Sequence, residues 1–159
     1  MKATHAAGLL MGGLVLGALI TGSLTRATAL AAPHRSAAVR PPARVAMVIF
    51  PGVRLGPDGK MHDTYTPTDL AALAGQKVIV TLYNYDTGQH TFTAPALHLN
   101  VMIPAARRTG VPAVKTFTFV AQQAGVYHWR CKWPCDDVAK GWAMLHQGYM
   151  AGTITIQRA

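Results

Sequence analysis

The chain's only two cysteines, Cys131 and Cys135, open the stretch "CKWPCDDVAKGWAMLHQGYMAG", which also carries His146 and Met150. Three fates are open to the thiols: a disulfide, a metal site, or plain core packing. A bridge closing so short a loop would stabilise a fold little. Chemistry is the better reason to keep both sulfurs. Upstream, "NYDTGQHTF" supplies a second imidazole, His90, just after a turn. A thiolate, two imidazoles and a thioether form a soft nitrogen and sulfur set that suits copper, whereas zinc has little use for the Met.

These residues need a scaffold that brings three separated pieces together. From Arg44 onward, short runs rich in Val, Ile, Thr, Tyr and Phe alternate with Gly, Pro and Asn-Asp turns: "RVAMVIF", "KVIVTLYN", "HTFTA", "KTFTFVA", "GVYHWRC" and "GTITI". Their period of two predicts an all-β chain folded as an antiparallel sandwich or barrel. Strand parity puts Val78, Val80 and Leu82 on one face, and Phe117 with Phe119. It also puts Tyr127, Trp129 and Cys131 together and turns His128 away. Only "TPTDLAALAG" reads as a helix, with Thr68 as N-cap and Gly75 as stop.

In this frame the order "NYDTGQHTF", "GVYHWRCKWPC", "MAGTITI" resembles the cupredoxins, copper-binding Greek-key β-sandwiches that carry electrons. The resemblance covers residues 44–157, and its C-terminal half is the specific part. It implies that His90, Cys131 and Met150 are copper ligands and that Asn84 ties the two copper loops together. A blue-copper protein would place a His a short gap after the Cys. Here Pro134 is followed by Cys135, and the next imidazole is His146.

Two explanations follow. The loop has grown and His146 closes a mononuclear site, or Cys135 is a second thiolate. The spacing C-x-x-x-C and the order His, Cys, Cys, His, Met are similar to the dinuclear CuA centre of cytochrome c oxidase subunit II, in which the carbonyl of Trp133 would also take part. The gap to His146 and Met150 is longer than in that family. Met144 reads as a loop hydrophobe, and His62 and His98 as structural or solvated residues in loops without partners.

The N-terminus sets the compartment. Lys2 precedes an uncharged stretch, residues 6–25, and "ATALAAP" offers small residues for cleavage. Residues 1–31 therefore read as a signal peptide or an N-terminal hydrophobic helix that tethers the chain to a membrane. Residues 32–43, rich in Pro, Ala and Arg, read as a linker, and 44–159 as one domain. Export to the periplasm or the extracytoplasmic surface is expected.

No Glu and six Asp stand against 15 Lys and Arg, for a net charge of +9. The basic residues form no run with interleaved aromatics, which disfavours nucleic acid. The expected function is electron transfer to a redox partner of the respiratory chain. Alternatives are a CuA-type subunit II-like module of a terminal oxidase, copper acquisition or delivery, and a structural module that has lost its metal. No paired H-x-H segment or hydrolytic triad marks a copper oxidase or another enzyme.

Overall fold

The computed structural model describes residues 40–159; the expected signal or anchor and most of the linker lie outside them. Nine strands form two sheets: β1 (Ala43–Leu55), β2 (Met61–Thr66), β3 (Leu70–Leu73), β4 (Lys77–Asn84), β5 (His90–Ala94), β6 (Leu99–Ile103), β7 (Ala113–Val120), β8 (Gly125–Arg130) and β9 (Ala151–Gln157). One sheet has the order β2-β1-β4-β7 and the other β3-β9-β8-β5-β6. Three short 3-10 turns, Pro95–Leu97, Asp137–Ala139 and Trp142–Leu145, complete the described elements.

Parity builds the core as the sequence predicts. Met47, Ile49, Val78, Val80 and Leu82 of one sheet meet Phe92, Ile103, Trp129, Ile154 and Ile156 of the other, all buried. Each such side chain contributes about 1.5–3 kcal/mol by leaving water. Phe92 stacks on Trp129 at 4.5 Å between centroids, and Tyr65 meets the Trp129 ring edgewise at 4.9 Å. His128 is exposed while Trp129 and Cys131 are buried, so the facing predicted for this strand holds.

The predicted helix over "TPTDLAALAG" is instead strand β3. Leu70 and Ala72 are buried and Ala71 is exposed, a period of two that the leucine spacing disguised. β3 runs parallel to β9, with Leu70 opposite Ile154. Thr68 caps no helix; its carbonyl accepts the indole N–H of Trp129 at 2.8 Å. That contact brings backbone so close to Gly152 that a Cβ there would run into the Thr68 carbonyl, so the third residue of "MAG" has to be glycine. Gly75, at φ 74°, closes the turn into β4.

His90 begins β5, Cys131 follows β8 and Met150 precedes β9. Because β8 is antiparallel to both β5 and β9, the three pieces meet at one end of the sandwich.

Candidate metal centre

Cys131 extends the β8 ladder by one residue, its N–H donating to the Met150 carbonyl at 2.8 Å. Its side chain therefore keeps the inward facing of Trp129 and is fully buried. Cys135 is also buried, and its Sγ lies 3.2 Å from that of Cys131. A disulfide needs about 2.05 Å. Both thiols are free.

His90 completes a cluster. Its Nδ1 lies 3.9 Å from Cys131 Sγ, and the ligand atoms of His90, Cys131 and Cys135 all fall within 4.8 Å of one another. Its Nε2 sits 2.9 Å from Asp86 Oδ2. With Nε2–H donated to the Asp86 carboxylate, the ring turns Nδ1 toward the sulfurs, the arrangement that orients metal-binding histidines.

Asn84 performs a different tie from the one expected. Its amide donates to the carbonyls of Gly88 and Pro104, both at 2.9 Å, and its Oδ1 accepts from Asp86 N–H at 2.9 Å. It thus fixes the turn before His90 to the segment after β6. The link to the cysteine loop is made by Thr91, whose hydroxyl accepts from Lys132 N–H at 2.7 Å and whose own N–H points at Cys131 Sγ at 3.4 Å.

The electrostatics match a poised thiolate. The hydrogen bond from the Cys135 thiol, with help from His90 and Thr91 N–H, outweighs burial and pulls Cys131 down to about 4. Cys135, donating to that thiolate in a buried site, is pushed far above its ordinary value. Burial alone would lower His90, but Asp86 and Cys131 raise it to about 9. Tyr65, whose hydroxyl donates to the Thr91 carbonyl, is raised by burial and by the two sulfurs.

No protein-family model matches the sequence, and no curated protein does. Solved structures match in shape. The multicopper oxidase mgLAC aligns with a TM-score of 0.51 at 14% identity, over 74% of this chain and 39% of its own. The chain has a cupredoxin fold. A dithionite-reduced auracyanin from Roseiflexus castenholzii is 21% identical, with a TM-score of 0.44 over 72% of this chain and 97% of its own. A purple cupredoxin from Nitrosopumilus maritimus is 18% identical, with a TM-score of 0.37 over 71% and 99%. Against the oxidase, then, the chain spans about two fifths of the relative's length.

The donor set of this cupredoxin fold suits a soft first-row ion. Bonds of ~2.0–2.3 Å to nitrogen and sulfur in a tetrahedron imply donor separations of ~3.3–3.8 Å. The 3.2 Å and 3.9 Å separations bracket that range. The paired thiols with His90 beside them fit a CuA-like site, and the Trp133 carbonyl lies 3.5 Å from Cys131 Sγ.

The other two expected ligands stand differently. Met150 is fully buried in the apolar cluster that also contains both cysteines. His146 is not in the His90, Cys131, Cys135 group. Its ring stacks on Trp142 at 3.5 Å between centroids, and its Nδ1 is 2.6 Å from the Trp142 carbonyl. In the same loop Pro134 is exposed, Trp142 half-buried and Tyr149 buried, and Trp133 and Leu145 are exposed apolar side chains.

His98 is exposed, as expected. His62 is not in a loop and does not lack partners. It lies on β2, fully buried, between Asp58 and Asp136. Sequence reasoning passed over Asp86, Thr91 and Asp136 as well. One signal was present: "DGKMH" and "DTGQH" both set an Asp four residues ahead of a His across a glycine turn.

Proposed function

We propose that this domain binds copper through His90, Cys131 and Cys135, with His146 and Met150 as the remaining ligands, and carries electrons outside the cytoplasmic membrane to a respiratory redox partner. The cluster of two free thiols and an oriented imidazole, buried at the strand ends of a cupredoxin sandwich, carries this reading. Location and partner class rest on the uncharged N-terminal stretch and on the resemblance of the copper-loop residues to the cupredoxins.

Copper would supply a one-electron Cu(II)/Cu(I) couple. The chain supplies the rest. The depressed Cys131 keeps a thiolate ready, Asp86 holds the His90 ring, and the Thr91 and Asn84 hydrogen bonds lock the flanking turns. A donor set fixed by a folded sandwich moves little between oxidation states, which keeps reorganisation small. His146 can add Nε2 while keeping Nδ1 on the Trp142 carbonyl, whereas use of Nδ1 would give up that contact.

Loading the protein with copper and recording absorption and electron paramagnetic resonance tests the proposal. Intense thiolate-to-copper charge transfer is expected; a colourless protein overturns it. A second reading, a dinuclear site, is favoured by the closeness of the two sulfurs. Two coppers per chain, falling to one or none in Cys135→Ser, support it, and a single copper retained in that variant removes Cys135 from the ligand set. Acquisition or delivery of copper would instead show as transfer of Cu(I) to an apo partner with slow electron self-exchange.

A further inference from the structure

The cysteine loop is also held by side chains that make no hydrogen bond to either sulfur. Asp136 follows Cys135 directly and has a left-handed backbone, φ 60°. Its buried carboxylate accepts from Ala143 N–H at 2.8 Å, from Asp63 N–H at 3.3 Å and from His62 Nδ1 at 3.1 Å. Its own N–H donates to Asp63 Oδ2 at 3.0 Å, and its carbonyl accepts from Ala139 and Gly141. One carboxylate thus joins β2, the residue after Cys135, and the turn that carries Trp142.

His62 anchors that junction. The ring is fully buried, with Nε2 2.8 Å from Asp58 Oδ1. It lies against Trp142 at 4.4 Å between centroids and meets the Tyr149 ring edgewise at 5.5 Å. Trp142 in turn carries the His146 ring. Gly56 leaves the necessary room, since a Cβ there would stand 2.5 Å from His62 Nε2 and 2.7 Å from Asp58 Oδ1. A ring kept only to fill volume would have no need of a carboxylate at each nitrogen.

We infer that His62, acting through Asp136, is a positioning residue that sets where Cys135 and the Trp142–His146 segment sit relative to Cys131. Its consequence for copper rests on the proposed metal site, but the positioning itself can be read without metal.

The test uses the full chain. In metal-free Cys131→Ser protein, Cys135 is the sole thiol and reports on its own exposure to a maleimide. Adding His62→Phe, which keeps an aromatic ring against Trp142 but removes both polar contacts, should raise the alkylation rate by about tenfold, the opening expected on losing the one hydrogen bond that ties the ring to the Asp136 carboxylate. His62→Gln, which retains an amide donor, should fall between the two. If His62→Phe does not fold, as judged by circular dichroism, Asp136→Asn carries the same expectation. Folded variants that alkylate at the parent rate overturn the inference.

With both cysteines present and copper loaded, His62→Phe should shift the charge-transfer bands and the hyperfine splitting, and unchanged spectra also overturn the inference. A wild type that shows no charge-transfer band at all sinks the copper proposal and leaves the alkylation arm to decide the positioning role alone.

Discussion

The molecule contains the same small device twice. In "DGKMH" and "DTGQH" an Asp side chain accepts the N–H of the residue two ahead, Lys60 at 3.1 Å and Gly88 at 3.0 Å, and closes a turn. The same carboxylate then meets Nε2 of the His four residues on, at 2.8 Å for His62 and 2.9 Å for His90. Both rings are fully buried. They part at the other nitrogen. His62 Nδ1 faces the Asp136 carboxylate, and His90 Nδ1 faces the Cys131 sulfur. Burial and a carboxylate partner do not separate a ligand from a brace; the partner of the second nitrogen does.

The widest contrast comes from removing each ring. His90→Ala should leave a folded protein without thiolate-to-copper charge transfer, read by absorption after copper loading. His62→Ala should lower the stability of the metal-free protein by about 3 kcal/mol in urea, the low end for breaking a buried pair because Asp58 keeps some contact with water. If His62→Ala were the variant to lose copper while keeping its stability, the two roles would have to be exchanged.

A smaller contrast separates the two aspartates. Asp86→Asn should weaken copper binding about 10–100-fold in a competition titration, since the amide still fills the site but no longer orients and polarises His90 as a carboxylate does. Asp58→Asn should leave copper affinity where it is. Equal losses in both would mean that the carboxylates act only on the fold.

How far these roles were legible in the sequence depends on the range of the cause. Strand parity is local, so the burial of Cys131 and the exposure of His128 could be read from "GVYHWRC". β2 could not, because its inward residues include His62 and Thr64, which break the apolar alternation. β3 reads as a helix in the sequence because four residues are too few to separate two periods, and its partner β9 lies about eighty residues away. Asp86 was legible through its spacing to His90. Asp136 was not, since its partners His62 and Asp63 are more than seventy residues distant. Nor could the sequence show that Thr91, rather than Asn84, would tie β5 to the cysteine loop, because both sit beside the same turn.

The finest test of the comparison is pH. Burial would lower the His62 imidazole, but its hydrogen bonds to Asp58 and Asp136 win and hold it above the ordinary 6.5. The folded protein therefore keeps a proton that the unfolded chain gives up as pH rises past 6.5. The stabilisation is complete below that pH and is lost as pH climbs through the raised folded value. In metal-free protein, the stability difference between wild type and His62→Gln should be largest near pH 6 and shrink steadily on the alkaline side, read from urea midpoints. A gap that stays constant with pH would mean that His62 holds the cysteine loop as a neutral ring, by shape and hydrogen bonding without charge.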